Sequence, residues 1–363
     1  MWIIDAHQDL AWNMLSFKRD YSLSAAEIRQ REVGSEIPGW NHGDTLLGWP
    51  EYQRGRVAFI FATLFAAPAR DRVGGWDTQC YASTAEAQRI YGAQLDAYYR
   101  MVETHPDKFR LVQTRGELAD LRSAWDQDEQ GSHPVGLVVL MEGAEAVGEP
   151  PELETWWARG VRLVGPAWMG TRFCGGTREP GPMTAEGYAL LDGMAHLGFA
   201  LDISHMDEQA ALQALDYYPR RVVASHANAA SLVKNPDTNR HLSDQVIRQL
   251  VERDGVIGVI PFNVFLKAGW RHGDPRQQVP LQEVVAQIDY ICQLAGDALH
   301  AGIGTDFDGG FGLQSTPDGI DTVADLQKIG PLLSGKGYSQ QDIAAILGGN
   351  WYARLDQVLP DSI

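Results

Sequence analysis

Five short stretches of this sequence place histidine and carboxylate side chains at spacings suited to metal chemistry. They are Asp5-Ala-His7-Gln-Asp9, Met141-Glu142-Gly143, Asp202-Ile-Ser-His205, Ser225-His226 and Gly304-Thr-Asp306-Phe-Asp308-Gly. Imidazole and carboxylate together are the donor mixture that borderline divalent ions such as Zn2+ take. On an extended segment residues i and i+2 point the same way, so His7 and Asp9 can reach one ion together. A carboxylate has two oxygens, which gives Glu142 a natural place between His7/Asp9 and His205/His226. Two ions roughly 3.5–4 Å apart activate water and polarise a carbonyl oxygen. Asp306 or Asp308 could then carry a proton to the leaving group.

Taken one at a time, each piece has a plainer reading. His-x-Asp pairs are common, and His205 and His226 could be satisfied polar residues at strand ends. Glu142 before a glycine could be an acid at a helix N-terminus. Gly-x-Asp-x-Asp-Gly could be a turn, although its spacing does not match a calcium loop. Five such stretches in succession, each at the end of an apolar segment, are what point to one site. The other seven histidines, His42, His105, His133, His196, His241, His272 and His300, lack that placement and read as structural or surface residues.

The elements that must position these residues are short apolar runs. Trp2–Asp5, Val57–Phe65, Val135–Met141, Val161–Pro166, Phe199–Ile203, Val222–Ser225, Val256–Pro261 and Ala301–Gly304 read as strands of a parallel sheet covered on both faces. Amphipathic stretches separate them, some with clear helix starts. Ser83-x-x-Glu86 and Ser339-x-x-Asp342 resemble capping boxes, and Thr184 and Ser243 stand at N-cap positions. Eight strands alternating with helices predict an α/β fold of the (β/α)8 TIM-barrel type, with a doubly wound sheet as the rival. Barrel enzymes place their chemistry at the carboxyl ends of the strands, where all five stretches fall. No repeat or linker divides the chain, so residues 1–363 read as a single barrel domain. The segment from about Lys18 to Arg56, rich in Gly, Trp and charge, is expected to be a surface insertion over one barrel mouth.

Composition narrows the function classes. The 363 residues include 47 Asp and Glu against 30 Lys and Arg, for a net charge of −17. That balance argues against a nucleic-acid groove and against a basic membrane-binding patch, both of which need clustered cations. Cys80, Cys174 and Cys292 lie far apart, with no CxxC spacing, so neither a disulfide framework nor a thiolate metal site is expected. The longest apolar run, Val57 to Ala67, is too short for a membrane span. The start, Met1-Trp-Ile-Ile-Asp5, has no basic region followed by an apolar stretch. The expectation is a cytoplasmic protein without an export signal.

At these residues the sequence resembles the membrane (renal-type) dipeptidase family, peptidase family M19, as a divergent, bacterial-like member of the amidohydrolase-type barrels. The five stretches carry the resemblance, together with Leu347-Gly-Gly-Asn350-Trp-Tyr-Ala-Arg354, and they run from residue 3 to about 354. The resemblance implies a binuclear zinc dipeptidase acting on a small dipeptide-like substrate. His7 and Asp9 would hold one zinc, His205 and His226 the other, with Glu142 bridging and Asp306 as the acid/base. Arg240 occupies the place of an arginine that grips the substrate carboxylate. The family carries a His at the end of strand 4, where this chain has Trp168. An indole donates one N–H but does not ionise near neutral pH. Trp168 and a compensating donor, Arg172, therefore enter as candidate substrate contacts, and another small amide or a lactone is the alternative substrate. A carbamylated-lysine bridge is excluded, because no Lys stands between Lys108 and Lys234. A non-catalytic metal-binding barrel is the remaining alternative. Dimers are common among such barrels, although no stretch of the chain marks an interface.

Overall fold

The computed structural model describes residues 1–129, 131–233 and 238–362. All eight apolar segments form strands: β1 (Ile3–Gln8), β2 (Val57–Phe65), β3 (Val135–Glu142), β4 (Val161–Gly165), β5 (Ala200–Asp202), β6 (Val222–Val223), β7 (Ile257–Val259) and β8 (Ala301–Ile303). They pair in the order β6-β5-β4-β3-β2-β1-β8-β7. A parallel bridge between Ala224 and Ile257 closes the ring. Closure excludes the doubly wound alternative, whose sheet stays open. The fold is the (β/α)8 barrel.

Burial explains why the strands read as unbroken apolar runs. Every residue of β3 is buried and all but the last of β2, because helices cover the sheet outside and side chains fill it inside. These two strands stay in register from Phe59 opposite Gly136 to Phe65 opposite Glu142, which carries Glu142 to the carboxyl end of β3. The alternate positions Ile4/Ala6, Phe59/Phe61 and Val138/Leu140 pack with Trp125, Trp351 and Leu355 of the helices Arg115–Gln127 and Asn350–Val358.

β1 is longer than its apolar run. It continues past Asp5 to Gln8, which still pairs with Ala62 of β2, so His7 lies inside the strand. Polar residues at positions 5, 7 and 8 look like a strand end in sequence, yet all three are fully buried. Conversely, β6 is only two residues long. The chain beyond it is held by Asp202, whose Oδ1 accepts the Ser225 N–H at 2.9 Å. Glycine is required where β7 and β8 approach this turn, since a Cβ on Gly258 or Gly304 would lie 1.9 Å from the Ser225 carbonyl oxygen.

The helix starts follow the sequence signals. Ser83, Thr184, Ser243 and Ser339 each accept a backbone N–H at a helix N-terminus. Ser339 and Asp342 form a full capping box. Glu86 reaches back to the Ala82 N–H, one residue before the cap. The Gly-Gly-Asn segment near the C-terminus braces β8: Asn350 Nδ2 donates to the Ala298 and Ala301 carbonyls at 2.7 and 2.8 Å, and Trp351 Nε1 to Ile303 at 3.0 Å. Between Lys18 and Arg56 lie three short helices, Ala25–Glu32, Ile37–Trp40 and Trp49–Arg54. Cys80, Cys174 and Cys292 are buried and unbridged. No helix among the described residues is long and apolar enough to cross a membrane.

Candidate metal centre

The strand ends bring the five stretches together. His7 projects from β1 and Glu142 ends β3, while His205, His226 and Asp306 each follow their strand by three residues. His7, Asp9 and Glu142 form one group of ligand atoms, Glu142, His205 and His226 a second, and His7, His226 and Asp306 a third. Within each group the atoms lie within 4.8 Å of one another. Glu142 links the first two. Its Oε2 stands 3.6 Å from His7 Nε2, and its Oε1 stands 3.0 Å from His205 Nε2 and 3.3 Å from His226 Nε2. Asp9 Oδ2 and Asp306 Oδ1 are 3.9 and 3.8 Å from His7 Nε2.

The donor set fits divalent cations. His7 Nε2 and Asp9 Oδ1 are buried with no hydrogen-bond partner among the described residues, although buried polar atoms nearly always have one. The Nε2 atoms of His205 and His226 face each other at 2.9 Å. Their outer nitrogens are held. The Ser225 hydroxyl donates to Asp202 and lies 2.8 Å from His226 Nδ1, so the ring proton sits on Nδ1 and the Nε2 lone pair faces the centre. The Thr177 hydroxyl lies 3.0 Å from His205 Nδ1. His205, Asp306 and Asp308 all take left-handed φ, at 66°, 58° and 63°. Such strain in residues other than glycine persists where surrounding structure enforces it, often at functional sites.

Electrostatics agree with the geometry. Burial lowers the His205 pKa to about 4, with Arg240 adding to the effect, and burial together with the charge on His7 holds His226 well below its usual value. Both rings are therefore neutral, the form that ligates metal. His7 experiences the same burial, but Glu142, Asp9 and Asp306 outweigh it and raise its pKa. Burial pushes Asp306 well above the ordinary carboxylate range, and Asp9 and Glu142 raise it further. Three carboxylates thus crowd a buried space whose imidazoles cannot neutralise them all.

The remaining candidates divide. Arg240 is buried, and its Nη2 donates to the His226 carbonyl at 2.8 Å. Its Nε and Nη1 have no partner among the described residues, leaving donors for an anion. Trp168 lines the cavity above the centre, its ring 6.3 Å from that of His205 and 5.0 Å from Phe65. Arg172 is not brought to the centre. Its guanidinium is taken up by the Val147 and Gly148 carbonyls, Thr84 and Glu186, so it fastens a loop instead of replacing the strand 4 histidine. Asp308 is occupied as well: Arg19, Tyr21, Thr45 and the Leu46 N–H all donate to its carboxylate, whereas Asp306 faces His7 across 3.8 Å.

The cavity over the centre has a volume of about 180 Å3. Trp12, Trp40 and Trp76 line it, with Asp71 and Asp77. Sequence spacing marks none of these, because they converge from two short helices, Leu10–Ser16 and Ile37–Trp40, and the segment 71–77. His42, read from the sequence as structural or surface, also lines the cavity.

Comparison with known proteins places the chain. The family model for membrane dipeptidase, peptidase family M19, matches residues 1–358. An uncharacterised Klebsiella pneumoniae protein from the region 5′ of pqqA is 33% identical over 259 residues, 68% of this chain and 92% of that one. An uncharacterised dipeptidase of Schizosaccharomyces pombe is 26% identical over 263 residues, 71% of this chain and 59% of that one. The crystal structure of a Rhodobacter sphaeroides metallopeptidase superposes with a TM-score of 0.76 at 22% identity, covering 99% of each chain, and shares the fold. With its barrel, its cluster of His, Glu and Asp donors and a match across nearly its whole length, this chain belongs to the membrane dipeptidase family M19, a family of metallo-dipeptidases.

Proposed function

We propose that this protein hydrolyses small dipeptides with two zinc ions, His7 and Asp9 holding one, His205 and His226 the other, and Glu142 bridging. The observation that carries the reading is the Glu142 carboxylate, whose two oxygens face different imidazole partners. When bound, such ions supply activated water and stabilise negative charge on a carbonyl oxygen. The protein's own groups do the rest. Asp306, protonated more readily than an ordinary carboxylate, passes a proton between the attacking water and the leaving amine. Arg240 presents its free Nε and Nη1 to the substrate carboxylate, for which a guanidinium is matched in shape and charge.

The Rhodobacter sphaeroides protein was solved with a phosphinate mimic of the dipeptide L-Ala-D-Ala. The decisive experiment is therefore metal analysis of the purified chain followed by turnover on L,L and L,D dipeptides after zinc reconstitution. Two ions per chain and dipeptide cleavage support the reading. A chain that holds no metal, or that holds two ions and cleaves none of the panel, rejects it. Trp168 favours a second reading, hydrolysis of another small amide or a lactone, because its indole at the cavity wall cannot act as an ionising acid. Turnover on those compounds in preference to dipeptides would select it.

A further inference from the structure

The cavity has a chemistry of its own, apart from the metal cluster. Its wall is built from indoles: Trp40 and Trp76 stack at 5.2 Å with planes 7° apart, and Trp12 meets Trp76 edge-on at 6.1 Å. Among the described residues no Lys or Arg lines it. Arg240, beside His226, keeps two free donors, whereas Arg19 and Arg70 are paired. Arg19 lies over Phe17, but its guanidinium is held by Asp308 and Glu32. Arg70 forms its short contact with Glu179 and reaches Asp71 only at 3.6 Å.

Asp77 is the telling residue. It is 4% exposed and lines the cavity, and its Oδ1 has no hydrogen-bond partner among the described residues. Its other oxygen accepts a long 3.5 Å bond from the Val73 N–H, and the Cys80 thiol is a further neighbour that donates toward the carboxylate. A buried carboxylate oxygen left without a donor is costly unless something arrives to satisfy it. Aromatic faces beside an unsatisfied carboxylate are complementary to an ammonium or guanidinium group, which the rings attract through their quadrupoles and the carboxylate by charge. The net charge of −17 favours the approach of cations to the protein as a whole.

We propose that this cavity selects dipeptides bearing a cationic side chain, of the lysine or arginine kind, seated against Trp40 and Trp76 and paired with Asp77. The proposal rests on the dipeptidase reading above. A dipeptide's own α-ammonium is the competing source of positive charge, and the experiment separates the two. With zinc-loaded protein, kcat/KM is compared for lysine and norleucine in each position of an alanine dipeptide, in wild type and Asp77→Asn. Norleucine matches lysine in length and keeps the α-ammonium, so only the side-chain charge differs. At one position lysine is expected to exceed norleucine at least tenfold, and Asp77→Asn should remove most of that preference while leaving norleucine turnover within about twofold.

A binding measurement, free of any need for turnover, reads the same contrast. Indole fluorescence is followed during titration with L-lysine amide and L-norleucine amide, with and without zinc. Lysine amide is expected to bind at least tenfold more tightly, and less tightly to Asp77→Asn. Equal binding of the two amides, or an equal loss of both in Asp77→Asn, would overturn the proposal and assign the seat to the α-ammonium or to structure. If no dipeptide is cleaved yet the binding contrast holds, the dipeptidase reading fails and the cation seat stands.

Discussion

His205 and His226, each three residues past the end of neighbouring strands β5 and β6, face each other through Nε2 atoms 2.9 Å apart, with one Glu142 oxygen 3.0 and 3.3 Å away. With its proton on Nδ1, His226 turns an Nε2 lone pair into that gap, which can either accept the Nε2–H of His205 or ligate a cation. The assignment of Glu142 as a bridge makes a specific claim about charge. In Glu142→Gln the oxygen toward His7 or the one toward His205 becomes an amide nitrogen, which cannot ligate. Metal content by mass spectrometry should fall from two ions to one or fewer per chain, with turnover reduced at least a hundredfold. Two ions retained at wild-type affinity would remove Glu142 from the bridging role.

Asp306 differs from Glu142 in needing a proton more than a metal. Its closest ring contact, His7 Nε2, is 3.8 Å away, farther than any imidazole contact of Glu142. Asp306→Asn keeps the shape and loses the proton transfer. Turnover should drop roughly 10²–10⁴-fold, the usual worth of a positioned acid/base, while metal content stays unchanged. Turnover within a few-fold of wild type would assign the proton to another group.

Asp308, two residues on, should behave as a structural residue. It is fully buried and ties segment 18–56 to the β8 loop through Arg19, Tyr21, Thr45 and the Leu46 N–H. Removing one member of a buried ion pair strands the other, a loss of about 3–5 kcal/mol. Arg19 retains Glu32, so Asp308→Asn should lose about 2–4 kcal/mol in denaturant melts. Metal affinity should change less than in Glu142→Gln. A variant as stable as wild type would show that the segment is held by its apolar contacts alone.

What the sequence revealed and what it hid follow from how local each signal is. Strand identity was legible at Val57–Phe65 and Val135–Glu142, because a covered parallel strand is apolar on both faces. The convergence of His7, Glu142, His205, His226 and Asp306 was legible because a barrel sends every strand end to one rim. Arg172 misled: its place after β4 suggested a substrate contact, and only the fold shows its guanidinium spent on the Val147 and Gly148 carbonyls. The Trp12, Trp40, Trp76 and Asp77 wall was invisible, since its residues come from two short helices and a loop whose mutual packing no local pattern encodes. The role of Asp308 was equally hidden, its partners Arg19 and Tyr21 lying nearly the whole chain away.

His241 supplies a test of stability that does not involve the metal ligands. It follows Arg240, meets Phe265 edge-on at 5.0 Å, and its Nδ1 has no partner among the described residues. Burial, with Arg240 beside it, lowers its pKa from 6.5 to about 3. The folded chain therefore binds this proton less readily than the unfolded chain does. Stability is complete above pH 6.5 and declines as pH falls from there toward 3, by up to about 1.4 kcal/mol per pH unit. In His241→Gln that decline is absent. Comparing the two metal-free proteins cancels the titration of His205 and His226, which both retain. The wild-type Tm minus the variant Tm should shrink, or change sign, between pH 6.5 and 4.5. Melting curves that stay parallel across that range would show that His241 reaches water in the folded state and charges without penalty.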